Sequence, residues 1–600
     1  MILQSLTQYY QRLLEHGGDI APYGFSPEKI SYVVVLSENG EVVSVRDFRV
    51  KSGKKDVPQT QIVPQPAKRT VGIKPNFLWD KTSYIFGVST VSKRADQEHA
   101  AFREFHLNAL ADTEDIGLCA LKRFLENWTP EQFDTSEYFS EDMKDANMTF
   151  ALDGERLFLH ERSVACELWA KLFEGAESSK QGMCLVNGEI TSLARLHPAI
   201  KGVDGAQSSG ASIVSFNLDA FKSYGKDQGE NAPVSEQATF AYTTALNYLL
   251  RRGEDNRQRI QIGDATVVFW AEAENNEQAQ VAESVFMQML DQKSDDPQET
   301  EKIRQVLEGV SKGRPLRNID PELDEGTCMF ILGLAPNASR LSIRFWETGT
   351  FGELAKRIAN HEQDMHLEPL PWKTPPSVRR LALATAPSRN KPAEAKDIPA
   401  QLAGELMRAI LSGRRYPQSL LTNLIMRMRA DGDISGVRVA LCKAVLTRNQ
   451  RLKTSTLLEE ENLVSLDKQS TNPAYQLGRL FAVLENVQRN ALGENVNATI
   501  RDRYYGAASA TPASIFPVLL RNTQNHLSKL HKEKKGLAVI LEKQIGEIID
   551  GLDENLPRSL PIEEQGRFAI GYYHQSRAHF TKGREKNDEE TETTEEGVTE

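Results

Sequence analysis

TAPSRNKPAEAKDIPAQ, residues 385–401, is where the chain changes character. Pro387, Pro392 and Pro399, with Ala and Lys around them, leave neither a two-residue nor a 3.6-residue hydrophobic period. The stretch reads as the core of a linker over 376–400. Downstream, QLAGELMRAILSG, PQSLLTNLIMRMRA, SGVRVALCKAVLTRN, PAYQLGRLFAVLENVQRNAL, HLSKLHKEKKGLAVILEKQIGEIIDGL and IEEQGRFAIGYYHQSRAHF all carry helical period. Pro or Gly breaks separate them, which predicts a helical bundle over 401–580. No fixed repeat period relates them.

Upstream, strand patterns return. SYVVVLSENGEVVSVRDF (31–48) predicts a hairpin turning at Asn39-Gly40, and GMCLVNGEI (182–190), ASIVSFN (211–217) and QIGDATVVFWAE (261–272) read as strands. TCMFILGLAPNASRLSIRFWE (327–347) predicts another hairpin, turning at Pro336 and Asn337. Helices are predicted for MILQSLTQYYQRLL, EHAAFREFHLNALA, CALKRFLENW and PVSEQATFAYTTALNYLLR, the last with Ser235 as N-cap. The fold class is therefore α+β: a large mixed region over 1–375, then an all-α bundle. Residues 581–600 form an acidic tail expected to be disordered.

Six hundred residues exceed what one core supports. No apolar run reaches membrane-spanning length, and the first helix lacks the basic start and cleavage site of a signal peptide, so a cytoplasmic protein is expected. The five cysteines form no C-x-x-C pair, and Cys184 and His197 read as packing residues rather than ligands; no metal or cofactor is expected.

The net charge of −11 hides segregation. Residues 588–600 hold seven acids and no Lys or Arg, so the rest carries only −4. From Arg49 to Arg94 ten basic residues face only Asp56 and Asp80. Such a stretch is either a solvated face or a phosphate-contacting one. Pro58, Pro64 and Pro66 predict an irregular but ordered loop there, since Phe77, Trp79, Tyr84 and Phe86 close it.

GVDGAQSSGASIVSFN (202–217) mimics a phosphate loop in the spacing of Gly205 and Gly210, but Ala211 replaces the required Lys and the loop precedes its strand. It is not a P-loop. The following connection, with Gly225 and Gly229, offers Lys222, Lys226, Gln228 and Asn231 as donors; a plain left-handed turn with an N-cap explains it equally. No H-E-x-x-H or G-x-S-x-G occurs, although a dispersed carboxylate site, as in a metal-dependent nuclease, stays open.

MILQSLTQYYQRLL, GASIVSFNLDAFKSYGKDQGENAPVSEQATFAYTTALNYLL and QGRFAIGYYHQ together resemble the Csd1 family, the large subunit of the type I-C CRISPR Cascade complex. The resemblance implies a non-catalytic member of an RNA-guided DNA surveillance complex in antiviral defence. It would recognise the protospacer-adjacent motif (PAM), promote unwinding, stabilise the R-loop and help recruit a helicase-nuclease acting in trans. The implied partners are duplex DNA, the displaced single strand, the guide-RNA ribonucleoprotein, the backbone subunits, the subunit that binds the guide 5′ end, and small subunits, which the C-terminal bundle itself resembles. No membrane is implied. A scaffold without DNA contact is the bland alternative.

On this reading Lys74 and Asn76, at the break in the basic loop, are the candidate PAM readers, Lys and Asn being able to bond base edges. Asn76 equally serves as the start of a turn. Lys68, Arg69, Lys93 and Arg94 are candidates for DNA phosphates. Lys222, Lys226, Gln228 and Asn231 are assigned to duplex or guide-adjacent contact. Arg414, Arg415, Arg427, Arg429 and Arg438 are candidates for the displaced strand, or ordinary solvated helix faces.

Overall fold

The structure, a computed structural model, describes residues 1–595 except 17–19, 53–54, 68, 70–71, 176–179, 254, 274, 292–296, 373–374, 390–391, 400, 454–462, 494–497 and 553. It divides into two compact units, residues 1–198 with 214–248, and residues 199–213 with 249–600.

The first unit opens with α1 (Ile2–Glu15), whose Leu6, Tyr9 and Tyr10 are buried at helical spacing as expected. β1 (Phe25–Ile30), β2 (Tyr32–Leu36) and β3 (Val42–Asp47) follow, with β2 and β3 forming the predicted hairpin and Gly40 at φ 84° in its turn. The proline-bearing segment is not irregular. It holds β4 (Val50–Ser52), β5 (Lys55–Val57) and β6 (Gln59–Pro64), and β6 pairs antiparallel with β1. Pro is tolerated because each strand of a two-stranded sheet keeps a free edge.

β7 (Trp79–Lys81), α2 (Thr82–Ile85), α3 (Ala95–Ala109), α4 (Ile116–Asn127), α5 (Gln132–Thr135) and β8 (Asn147–Leu152) come next. They complete a sheet of order β3-β2-β8-β7, in which β2 and β8 run parallel. The run Tyr-Val-Val-Val-Leu of β2 is buried on both faces, as a central strand requires. Val34 and Leu36 pack with Phe102, Leu121, Phe124 and Phe150, while Val33 joins Ala151 and Phe158 on the other face. α6 (Ser163–Gly175), the β9 (Gln181–Met183)–β10 (Ile190–Ser192) hairpin and α7 (Glu236–Leu249) close the unit. Ser235 caps α7, its Oγ accepting from Ala238 N at 3.1 Å.

The second unit starts from a four-stranded antiparallel meander: β11 (Arg259–Ile262), β12 (Ala265–Glu272), β13 (Cys328–Asn337) and β14 (Arg340–Thr350), with α8 (Asn276–Leu290) and α9 (Pro297–Ser311) inserted. The β13–β14 turn is Ala338-Ser339, two residues past the expected Pro336-Asn337, and Ala338 takes φ 52° there. Residues 211–217 are not a strand: only the bridges Ile200↔Ala211 and Ser212↔Arg340 form. Gly205 and Gly210, both at positive φ, break the extended run before it starts.

Helices follow: α10 (Phe351–Met365), α11 (Val378–Leu383), α12 (Leu402–Ser412), α13 (Gln418–Asp431), α14 (Gly436–Lys453), α15 (Pro473–Leu492), α16 (Ile500–Ala510), α17 (Pro512–Glu533), α18 (Lys535–Asp550) and α19 (Ile562–Glu595). The expected linker over 376–400 carries α11, and Val378, Leu381, Ala382, Ala386 and Ile398 are buried. One hydrophobic cluster runs from Ile260 on the meander to Tyr573 on α19, so sheet and bundle share a core and no domain boundary falls at residue 375. The acidic tail continues α19 as helix to Glu595, in keeping with the helix propensity of Glu, and residues 596–600 lie outside the described residues.

Gly478 on α15 and Gly571 on α19 let these two helices cross at backbone contact. A Cβ at Gly478 would lie 2.0 Å from Phe568 O, and one at Gly571 would lie 2.2 Å from Tyr475 O.

Candidate nucleic-acid interface

The basic stretch folds around one carboxylate. Asp80, 1% exposed, accepts through Oδ2 from Arg69 Nη2 at 2.5 Å and from Asn76 N at 2.9 Å, and through Oδ1 from Lys81 N at 2.8 Å. Arg69 Nε donates to Lys74 O at 2.8 Å, and its guanidinium lies 4.0 Å from the centre of the Tyr84 ring. Burial pushes the Asp80 carboxyl up, and Arg69 with the two amides opposes that shift. Arg69, Lys74, Asn76 and Asp80 are thus tied into a closed ring of contacts.

Two further ties fix it to the core. Leu78, at φ 61°, donates its N–H to His106 Nε2 at 2.9 Å, and Trp79 Nε1 donates to Pro64 O at 2.8 Å. Burial lowers His106 to about 4, so its neutral ring accepts through Nε2 while Nδ1 donates to Phe102 O. Phe77 is stacked between His106 and Trp169, with centroids at 5.7 and 5.5 Å. A ring so anchored presents its apex, Lys74, to solvent.

The neighbouring turn is braced as well. Asp145 accepts from Ser89 Oγ, from Thr90 N at 3.0 Å and from Thr90 Oγ1 at 2.5 Å. Lys93 and Arg94 follow, exposed at the head of α3, with Arg94 within electrostatic reach of Tyr84 and Lys81 within reach of Asp145. Among the described residues no carboxylate comes within ion-pair distance of Lys74, Lys81, Lys93 or Arg94. Exposed cations without an ion-paired carboxylate attract a polyanion.

Three expectations change here. Asn76 is 4% exposed and its Oδ1 accepts from Ala67 N at 3.0 Å, so it holds the ring and does not face a base. Arg69 is committed to Asp80 and Tyr84 rather than free for phosphate. Lys68 lies outside the described residues. Lys81 was not singled out in the sequence; its signal was its place at the end of a strand directly after Asp80.

The second polar loop is also braced, mostly by its own polar groups. Asn231 Oδ1 accepts from Ser223 N at 3.1 Å, and its Nδ2 donates to Lys226 O at 3.3 Å and to Gln228 O at 3.0 Å. Lys222 bridges Asp219 and Asp227, each at 3.0 Å, so its charge is spent. Tyr224, Gly225 and Gln228 all take positive φ, and Gly229 packs where a Cβ would lie 2.2 Å from Ala194 O. What remains outward is Lys226 and, unforeseen, Tyr224, 98% exposed. The only hint was an aromatic between two lysines in KSYGK.

In the second unit the arginine row divides. Arg438 is 2% exposed, donating to Ala384 O and Ala386 O and pairing with Asp431 at 2.7 Å; it is a core clamp and not a strand contact. Arg427 pairs with Asp431 at 3.5 Å, and Arg429 donates to Gln565 Oε1 at 2.5 Å. Arg414 and Arg415 are exposed.

Among the described residues no three His, Cys, Asp or Glu side chains gather as a metal site, and no helix is long and apolar enough to cross a membrane. Cys184 Sγ accepts from Ser235 N at 3.2 Å, and His197 Nδ1 lies 2.6 Å from the Tyr242 hydroxyl. Fold and surface together define a class: an α+β protein of two units that offers braced, cation-bearing loops for contact. Residues 6–580 match the family model described as CRISPR-associated protein (Csd1), and the chain therefore belongs to the Csd1 family of CRISPR-associated proteins, components of Cascade-type machinery. No curated protein matches it.

Proposed function

We propose that the chain is the DNA-reading large subunit of a type I-C surveillance complex and carries out no bond-breaking step itself. Lys74, at the apex of the Asp80-centred ring, reads the PAM in the duplex, where a lysine can bond guanine acceptors. Lys81, Lys93 and Arg94 hold phosphates, which fix register without specifying sequence. Guide–target pairing then supplies the sequence specificity, so one short reader is sufficient. The Lys226–Tyr224 loop contacts nucleic acid beside the duplex, the helical bundle holds the displaced strand, and a helicase-nuclease is recruited in trans.

The observation that supports this reading best is the bracing of Lys74. Six hydrogen bonds, one of them also the Arg69–Asp80 ion pair, position a loop at whose tip the Lys74 ammonium has no carboxylate within ion-pair distance among the described residues. The test is target binding by the reconstituted complex across a library of PAM sequences. Lys74→Ala is expected to flatten PAM preference, whereas Lys93→Ala/Arg94→Ala is expected to weaken binding on every sequence and reduce its salt dependence. Unchanged PAM preference in Lys74→Ala would overturn the assignment.

A further inference from the structure

The stretch HLSKLHKEKKGLAVILEKQ, residues 526–544, carries helical period throughout, yet it is broken at Lys534 (φ −141°, ψ 61°) into α17 and α18. Five lysines sit on this elbow, Lys529, Lys532, Lys534, Lys535 and Lys543, against Glu533 and Glu542. Both glutamates are engaged: Glu533 lies 3.9 Å from Lys529 Nζ, and Glu542 lies 3.0 Å from His531 Nε2. Lys543 has Glu547 at 3.9 Å. Lys532, Lys534 and Lys535 are exposed, and among the described residues none has a carboxylate within ion-pair distance.

The dipole of α17 favours Lys532 in its last turn and Lys534 at its C-cap, but Lys535 is the first residue of α18, where the dipole disfavours a cation. Three neighbouring like charges add to that cost, in a chain that is acidic overall. Beside them Val539 and Ile540 are 51% and 53% exposed, while Ala538, Leu541 and Ile548 take the buried side of the same helix. Lys535, Val539 and Lys543 recur every four residues and so share one stripe.

We propose that the α17–α18 elbow is a contact for single-stranded nucleic acid, with Lys532, Lys534 and Lys535 on backbone phosphates and Val539 and Ile540 against the faces of unstacked bases. The proposal rests on the reading above that the bundle holds the displaced strand, and it moves that contact away from Arg427, Arg429 and Arg438. A single strand is favoured over a duplex because only there are base faces open to an aliphatic side chain. A protein partner is less well matched by an excess of unpaired cations.

The test uses the purified full-length chain, with a labelled oligothymidylate and a duplex of equal length as probes. K532E/K534E/K535E is expected to weaken oligothymidylate binding roughly tenfold, and to lower the slope of log affinity against log salt by about 2, as loss of three phosphate contacts to a single strand predicts. V539S/I540S is expected to weaken the oligothymidylate several-fold and leave the duplex unchanged. K532Q/K534Q/K535Q, which preserves size, should give a smaller loss in the same direction. Wild-type affinity and salt slope in a charge-reversed variant that melts like the wild type would overturn the proposal, as would equal losses of V539S/I540S on both probes. These measurements involve neither guide nor PAM, so failure of the Lys74 assignment leaves them standing, and their failure leaves Lys74 untouched.

Discussion

Asp80 and Asp431 are carboxylates taken almost wholly out of water, Asp80 beside Arg69 and Asp431 beside Arg438, with Arg427 at 3.5 Å. Removing one partner of a buried pair weakens the hold on the other charge. Arg438→Ala leaves Asp431 only Arg427 and Ser388, and is expected to cost up to about 3 kcal/mol, read as a lower denaturation midpoint. Asn76→Ala deletes one acceptor from the ring and leaves Ala67 N–H unpaired, a loss of about 1–3 kcal/mol that thermal unfolding should show. The buried histidines set a pH limit. His106 and His160 are held at about 4, below the ordinary 6.5, so the stability they contribute is complete above that ordinary value and is lost as pH falls toward 4. Melting temperature should drop between pH 7 and pH 5, and His106→Gln should make that drop shallower. Residue type alone showed that cations cluster between 49 and 94. It did not show which ones folding consumes, because an arginine aimed at solvent and one aimed at a buried aspartate have the same letter.

At the scale of elements, the α15–α19 crossing is the tightest contact between backbones in the bundle that glycine makes possible. Gly571→Ala and Gly478→Ala are expected to destabilise by about 1–3 kcal/mol or more, because the added methyl meets a carbonyl that cannot move aside. Gly546→Ala on α18 is the control: nothing lies near its Cβ, and the change should stabilise by roughly 1 kcal/mol. Differential scanning calorimetry distinguishes the two. The helices, the first hairpin and the Ser235 cap were legible because period and turn chemistry are local. The strands β4 to β6 were hidden, since prolines that forbid a central strand do not forbid an edge. The supposed strand at 211–217 failed for the converse reason: alternation was present, but no neighbouring strand accompanies it beyond single bridges.

For the whole molecule, the α+β class was readable from the change in period near residue 400, but the boundary was not. Composition marks where a chain looks like a spacer. Burial of Val378, Leu381 and Ile398 depends on distant residues that no local window contains. A single cut between 385 and 401 is accordingly expected to leave the two pieces associated, eluting together near the intact 67.2 kDa on size exclusion without denaturant. Separate elution would show that the shared core is too weak to hold them.

The parallel pairing of β2 with β8 has a consequence for synthesis. Tyr32 lies opposite Met148, so the central strand emerges from the ribosome long before its neighbour exists. At translation speeds of about 5–20 residues per second it waits roughly 6–23 s with an apolar edge unsatisfied. During that interval the nascent chain is a natural client for a chaperone, and codon choice between the two strands sets how long the exposure lasts.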